Sequence, residues 1–219
     1  MSTYNLARGL QAGNPKEWLS RNRVTIPNVK EVIWEPLYDT ITYPAAGASS
    51  LILFQDQIGK SGKTLSQTNM DLDGQLPSGK ALKVVSVQLA FYSGFSSNLH
   101  APGQNSEVTN DVRTFAENGS LKFRINSKEF LRQAPLGKFP PAERLEGFSA
   151  QATSTTIAGN SIDYTDYAVP CGRVFSISGL LLESNQNFHI ELNDLPALPS
   201  GVDGRIVCTL NGWLGRNAQ

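Results

Sequence analysis

The three consecutive residues Gly62-Lys63-Thr64 come closest to a known chemistry in this chain. A phosphate-binding loop needs Gly-x-x-x-x-Gly-Lys-Thr, whose first glycine frees the backbone to wrap the phosphates. Gln57 stands at that position, and Gly74 and Pro77 interrupt the helix that should follow. Asn69-Met70-Asp71-Leu72-Asp73-Gly74 opens with the oxygen spacing of a calcium loop, but Lys80 replaces the bidentate glutamate at the twelfth position. These side chains are expected to hydrogen-bond their own turn. His100 and His189 are the only histidines, too few for a multi-histidine metal cage. No Gly-x-Ser-x-Gly elbow or Cys/His nucleophile motif is present. Asp163 and Asp166, like Glu143 and Glu146, lie close in sequence and read as solvated loop charges. The reading is of a protein without catalytic, cofactor or metal site: not an enzyme, with no small-molecule substrate.

Other side chains suggest contacts. Phe95, Phe139, Phe148, Tyr164 and Tyr167 sit in segments rich in Ser, Gly, Pro and Thr. Aromatics in such surroundings mark protein interfaces and sugar clefts, or fold over the ends of a sandwich. Cys171 and Cys208 occur in strand-like contexts and read as two buried thiols in preference to one bridge. Asn118-Gly119-Ser120 matches a glycosylation acceptor, but MSTYNLARGL lacks the apolar core of a secretion signal, so Asn118-Gly119 reads as a hairpin turn.

The elements that would position these residues are strands. Leu121, Phe123 and Ile125 alternate with Lys122, Arg124 and Asn126, and Val85, Val87, Leu89 and Phe91 recur at period two. Ser49–Gln55 is a nearly continuous apolar run, as expected of a buried strand, and Val174–Ile177, Phe188–Leu192 and Arg205–Leu210 follow the logic of alternation. Weaker candidates are Val29–Leu37, Val112–Ala116, Glu129–Leu131 and Leu180–Glu183. Long loops are expected at 56–80, 93–111 and 134–170, the last containing the low-complexity stretch Ser149–Ser161. Roughly eight to ten strands without sustained helical periodicity make a β-sandwich.

Residues 1–40 look different and read as an N-terminal arm before a domain at 41–219. Asn14 caps a short helix with Pro15 at its first position. Trp18 and Trp34 are the expected anchors of this arm on a neighbouring surface. Arg8, Lys16, Arg21, Arg23 and Lys30 outnumber Glu17, Glu31 and Glu35, so any contact with nucleic acid or an inner layer would be weak and salt-sensitive.

Composition narrows the class. The 219 residues carry 19 Lys+Arg against 19 Asp+Glu, which gives little self-repulsion between copies. Charged residues are only 17%, below the ~25% usual in soluble domains, and neutral polar residues replace them. No apolar run reaches the ~20 residues of a membrane-spanning helix.

Tyr38-Asp39-Thr40-Ile41-Thr42-Tyr43-Pro44-Ala45-Ala46-Gly47, Leu53-Phe54-Gln55, Gly62-Lys63-Thr64 and Thr68-Asn69-Met70-Asp71 together resemble capsid proteins of small tailless icosahedral bacteriophages. The ending Gly204–Arg216 is similar to the last strand of such shells. The resemblance covers residues 38–92 and 204–216. It implies a single viral jelly roll, a sandwich of two Greek-key antiparallel sheets. A double roll would need about sixteen strands, more than this length readily supplies. The implied function is a major capsid protein that self-assembles around a phage genome, through homo-oligomeric capsomers (trimers or pseudo-hexamers) and with other capsid proteins. Its implied place is the virion, assembled in the bacterial host cytoplasm. The alternatives are a minor capsid, vertex or spike protein, or a carbohydrate-binding sandwich with Phe95, Phe148, Tyr164 or Tyr167 in its cleft.

Overall fold

A computed structural model describes residues 31–94, 105–142, 145–153, 161–169, 172–184 and 186–216. The described chain is mostly β, with two antiparallel sheets arranged as a sandwich. The strands are β1 (Glu31–Trp34), β2 (Leu37–Tyr43), β3 (Ala48–Leu53), β4 (Lys80–Tyr92), β5 (Ser120–Ile125) and β6 (Lys128–Gln133). They continue with β7 (Leu145–Thr153), β8 (Ser161–Val169), β9 (Phe175–Glu183), β10 (Phe188–Leu195) and β11 (Gly204–Arg216).

The first sheet runs in the order β2-β11-β4-β9. Its β1 lies in line with β2 and pairs with the far half of β11, from Glu31↔Arg216 to Trp34↔Trp213. The second sheet is ordered β3-β10-β5-β6, and β7 and β8 form a separate two-stranded ladder. All these pairings are antiparallel.

Alternation explains which faces meet. Leu121, Phe123 and Ile125 of β5, Phe188, Ile190 and Leu192 of β10, and Ile206, Cys208 and Leu210 of β11 all enter one core. Inward positions two residues apart put these side chains on a single face of each sheet. In β4 the alternation is reset by a bulge between Val84 and Ser86. Leu82 and Val84 are therefore core residues on one side of it, and Val87, Leu89 and Phe91 on the other. Val85, read from the sequence as the start of the inward series, falls on the bulge and is only partly buried.

Several expectations are corrected. Residues 31–34 and 37–40, assigned from sequence to the arm, are strand: β1 and the start of β2 are paired with β11. Ile33 packs on the core and holds this stretch to the sheet. Residues 1–30, with the helix expected after Asn14, lie outside the described residues.

Asn105–Glu117 is a helix, α1, where a loop and a weak strand were expected. Val112 and Phe115 bury one face, and Arg113–Glu117 forms an i, i+4 ion pair on the exposed side. Asn118-Gly119 ends that helix and starts β5 instead of turning a hairpin. The Asn118 amide donates to the Thr114 carbonyl, and Gly119 takes φ +69°, where Leu136 and Leu195 leave little room for a side chain. The β5–β6 hairpin turns instead at Asn126-Ser127, with Asn126 at φ 52°. The segment 134–170, read as a loop, contains β7 and β8. The strand expected at Val174–Ile177 and the weaker candidate at Leu180–Glu183 fall in one strand, β9 (Phe175–Glu183).

Candidate functional site

Lys63 of the Gly-Lys-Thr triplet is drawn inward by a carboxylate. Its Nζ lies 2.7 Å from Oδ1 of Asp39, which is fully buried on β2. The other Asp39 oxygen, Oδ2, accepts the Phe54 amide at 2.6 Å. Phe54 sits at φ 67°, unusual for a side chain of its size, at the end of β3. One carboxylate thus fixes a left-handed turn and the lysine of the loop beyond it. The arrangement organises structure, and Lys63 is not turned toward a phosphate.

The residues of the calcium-like run are likewise engaged. Asn69 Oδ1 accepts the Tyr38 amide at 2.8 Å, and its Nδ2 donates to the Pro36 carbonyl at 2.8 Å. Lys80 Nζ donates to Asp71 at 2.8 Å. Asp73 accepts from the Gln57 amide and from Lys60 Nζ, which lowers its carboxyl pKa below the usual range. The oxygens diverge to four different partners, Tyr38, Lys80, Gln57 and Lys60. Among the described residues, no group of three or more His, Cys, Asp or Glu side chains is placed to hold a metal.

His189 stands cross-strand from Arg124, and both approach Glu191, at 3.1 and 3.2 Å. The trio is a surface charge cluster on the second sheet. Cys208 is a free thiol within the core, and burial, followed by the nearby Asp39 charge, pushes its pKa well up. A thiol held protonated is a poor nucleophile. Cys171, His100 and Glu143 lie outside the described residues. Asp163 and Asp166 belong to β8 and Glu146 to β7, so these carboxylates stand on strands where loops were expected.

The predicted contact residues separate into three groups. Trp18, Arg21, Arg23 and Phe95 lie outside the described residues. Phe148, Tyr164 and Tyr167 fall on the β7–β8 ladder, opposite Asp166, Ala150 and Gly147, and their side chains lie outside the described set. Trp34 is half exposed at the edge of the first sheet and meets Trp213 edge-on, with ring centroids 5.1 Å apart. Phe139 is a core residue against Phe175 at 4.7 Å, not a contact residue.

Sequence reasoning missed a cleft at the corner between β1 and β2. It is a cavity of ≈ 180 Å³ floored by Leu37, Met70, Leu76, Leu82 and Leu214, with Ile58 and Leu65 on its rim. Asn69 and the Asp71–Lys80 pair are its engaged polar neighbours. An apolar floor without a converging acid, base or nucleophile suits the burial of a hydrophobic group better than bond-making. No family model, curated protein or solved structure matches this chain.

Proposed function

We propose that this chain is a jelly-roll capsid protein that builds the icosahedral shell of a small tailless phage around its genome, most simply as the major subunit. The observation that carries the reading is the strand order. With β1 as an extension of β2 and β7–β8 as an insertion, eight strands remain. In chain order they pair first with last, second with seventh, third with sixth and fourth with fifth: β2·β11, β3·β10, β4·β9 and β5·β6. One long antiparallel ribbon gives those pairs. Curling it places alternate pairs in opposite sheets, joined here by β11·β4 and β10·β5. That order supports a jelly roll, a fold used by viral shells and also by lectins and cupins.

Two features favour the shell among these uses. In the cleft, Asn69, Gln75 and the Asp71–Lys80 pair already bond to protein partners, and large apolar side chains remain exposed at Trp34, Leu65, Leu72 and Phe130. Large apolar side chains left in solvent gain free energy when a neighbouring subunit covers them.

Light scattering and negative-stain imaging of the purified full chain, over a range of concentration and salt, test the proposal. Closed particles or capsomer-sized oligomers are expected. A monomer at every concentration, stabilised by a glycan, would replace this reading with the carbohydrate-binding one.

A further inference from the structure

Building the core leaves two exposed apolar features that match each other. Phe130 lies on β6, the edge of the second sheet, and is 54% exposed. The ladder pairs Phe123 with Leu131 and Arg124 with Glu129, so Phe130 is the extra residue of a bulge with no opposite partner. Its neighbour Leu131 packs on the core while Phe130 stays in solvent. Bulges redirect side chains at sheet edges in this way.

The second feature is the cleft at the β1–β2 corner. Its ≈ 180 Å³ is ample for a phenyl ring, since an apolar cavity of ~150 Å³ accepts benzene. Ile58 and Leu65, 39% and 62% exposed, extend the apolar surface at its mouth. Charge also matches. Glu35 and Asp71 against Lys80 leave the lining with a net negative charge, and Lys128 and Arg132 against Glu129 leave β6 with a net positive one.

We propose that Phe130 of one copy seats in the cleft of a second copy. The inference rests on the shell reading and names one contact by which such a shell grows. Knob and socket lie on different sheets, so after one contact each copy keeps a complementary feature free. Head-to-tail contacts of this kind continue until rotation closes them into a ring or shell. A buried aromatic at the centre of the contact carries most of its energy.

The test uses the full chain in sedimentation velocity over a concentration series: unmodified, Phe130→Asp, Leu65→Asp, and the two variants mixed. Circular dichroism and urea midpoints establish that each is folded, and Phe130→Ser replaces the aspartate if that variant is not. Each variant alone should need at least about tenfold more protein to assemble. The mixture, in which one chain keeps the knob and the other the socket, should stop at a heterodimer. Assembly of the Phe130 variants at the unmodified concentration overturns this contact and leaves the shell reading intact. An unmodified chain that stays monomeric throughout overturns the shell reading and this contact together.

Discussion

Among the described residues two aspartates, Asp39 and Asp111, are fully buried, and they are satisfied in opposite ways. Asp39 neutralises an ammonium, Lys63 at 2.7 Å, and holds the left-handed Phe54 amide. Among the described residues Asp111, on α1, receives neutral donors: the Ser93 hydroxyl at 2.7 Å and the Ser200 amide at 2.9 Å. Around Asp111 the packing is aromatic. Phe91 stacks on Phe115 at 4.9 Å, and Tyr43 meets Phe91 at 5.7 Å. The Asp39 end anchors a long connection, residues 54–79, which has little regular structure to hold it. The Asp111 end pins a helix and two loops that already pack on the core. An irregular connection that reaches the core through Phe54, Met70 and Leu76 is thus also tied by a buried ion pair, whereas the packed helix meets its carboxylate with neutral hydrogen bonds.

The sharpest way to break this comparison is Asp39→Ala. It strands Lys63 without its counter-charge and releases Phe54, and should cost about 3–5 kcal/mol in urea unfolding. Asp111→Ala removes acceptors from two neutral donors and should cost less, about 2–3 kcal/mol. Equal losses would refute the distinction between the two ends.

Tyr43 tests the Asp111 end by pH. Burial, followed by the Asp111 charge, pushes its pKa from 10.0 up to about 12, and its hydroxyl donates to the Pro196 carbonyl at 2.6 Å. The unfolded chain ionises near pH 10, while the folded chain keeps the proton until about 12. The raised pKa therefore contributes stability that is present below pH 10 and is lost as pH rises through about 12, about 3 kcal/mol in all. The difference between native and Tyr43→Phe urea midpoints, followed from pH 9 to 12, should show that slope. Parallel curves would contradict it.

Trp34→Ala should cost about 1 kcal/mol in the same assay, because a half-exposed edge-on pair with Trp213 is modest. Lys60→Ala should leave the midpoint unchanged, since its contacts with Asp56 and Asp73 lie in solvent.

Legibility followed contrast between faces. β5 was readable because Leu121, Phe123 and Ile125 alternate with Lys122 and Arg124, one row dry and the other wet. Helix α1 was not: Val112 and Phe115 are its described buried apolar side chains, and the buried Asp111 beside them breaks the apolar pattern. β7 and β8 were hidden by small and polar residues such as Ser149, Ala150 and Thr165, which fit a ladder without advertising it. The cleft draws its lining from residues 35–37, 58–82 and 214, a proximity that exists only after β11 pairs with β1 and β4. Asp39 did carry a signal, an acidic residue within the apolar alternation of Leu37–Tyr43, but its partner Lys63 lies 24 residues away.

Cryo-electron microscopy of the purified full chain tests the shell directly. The account predicts closed particles whose repeating density accepts the β2-β11-β4-β9 and β3-β10-β5-β6 sheets. Isolated monomers at high concentration and at every salt strength would contradict it.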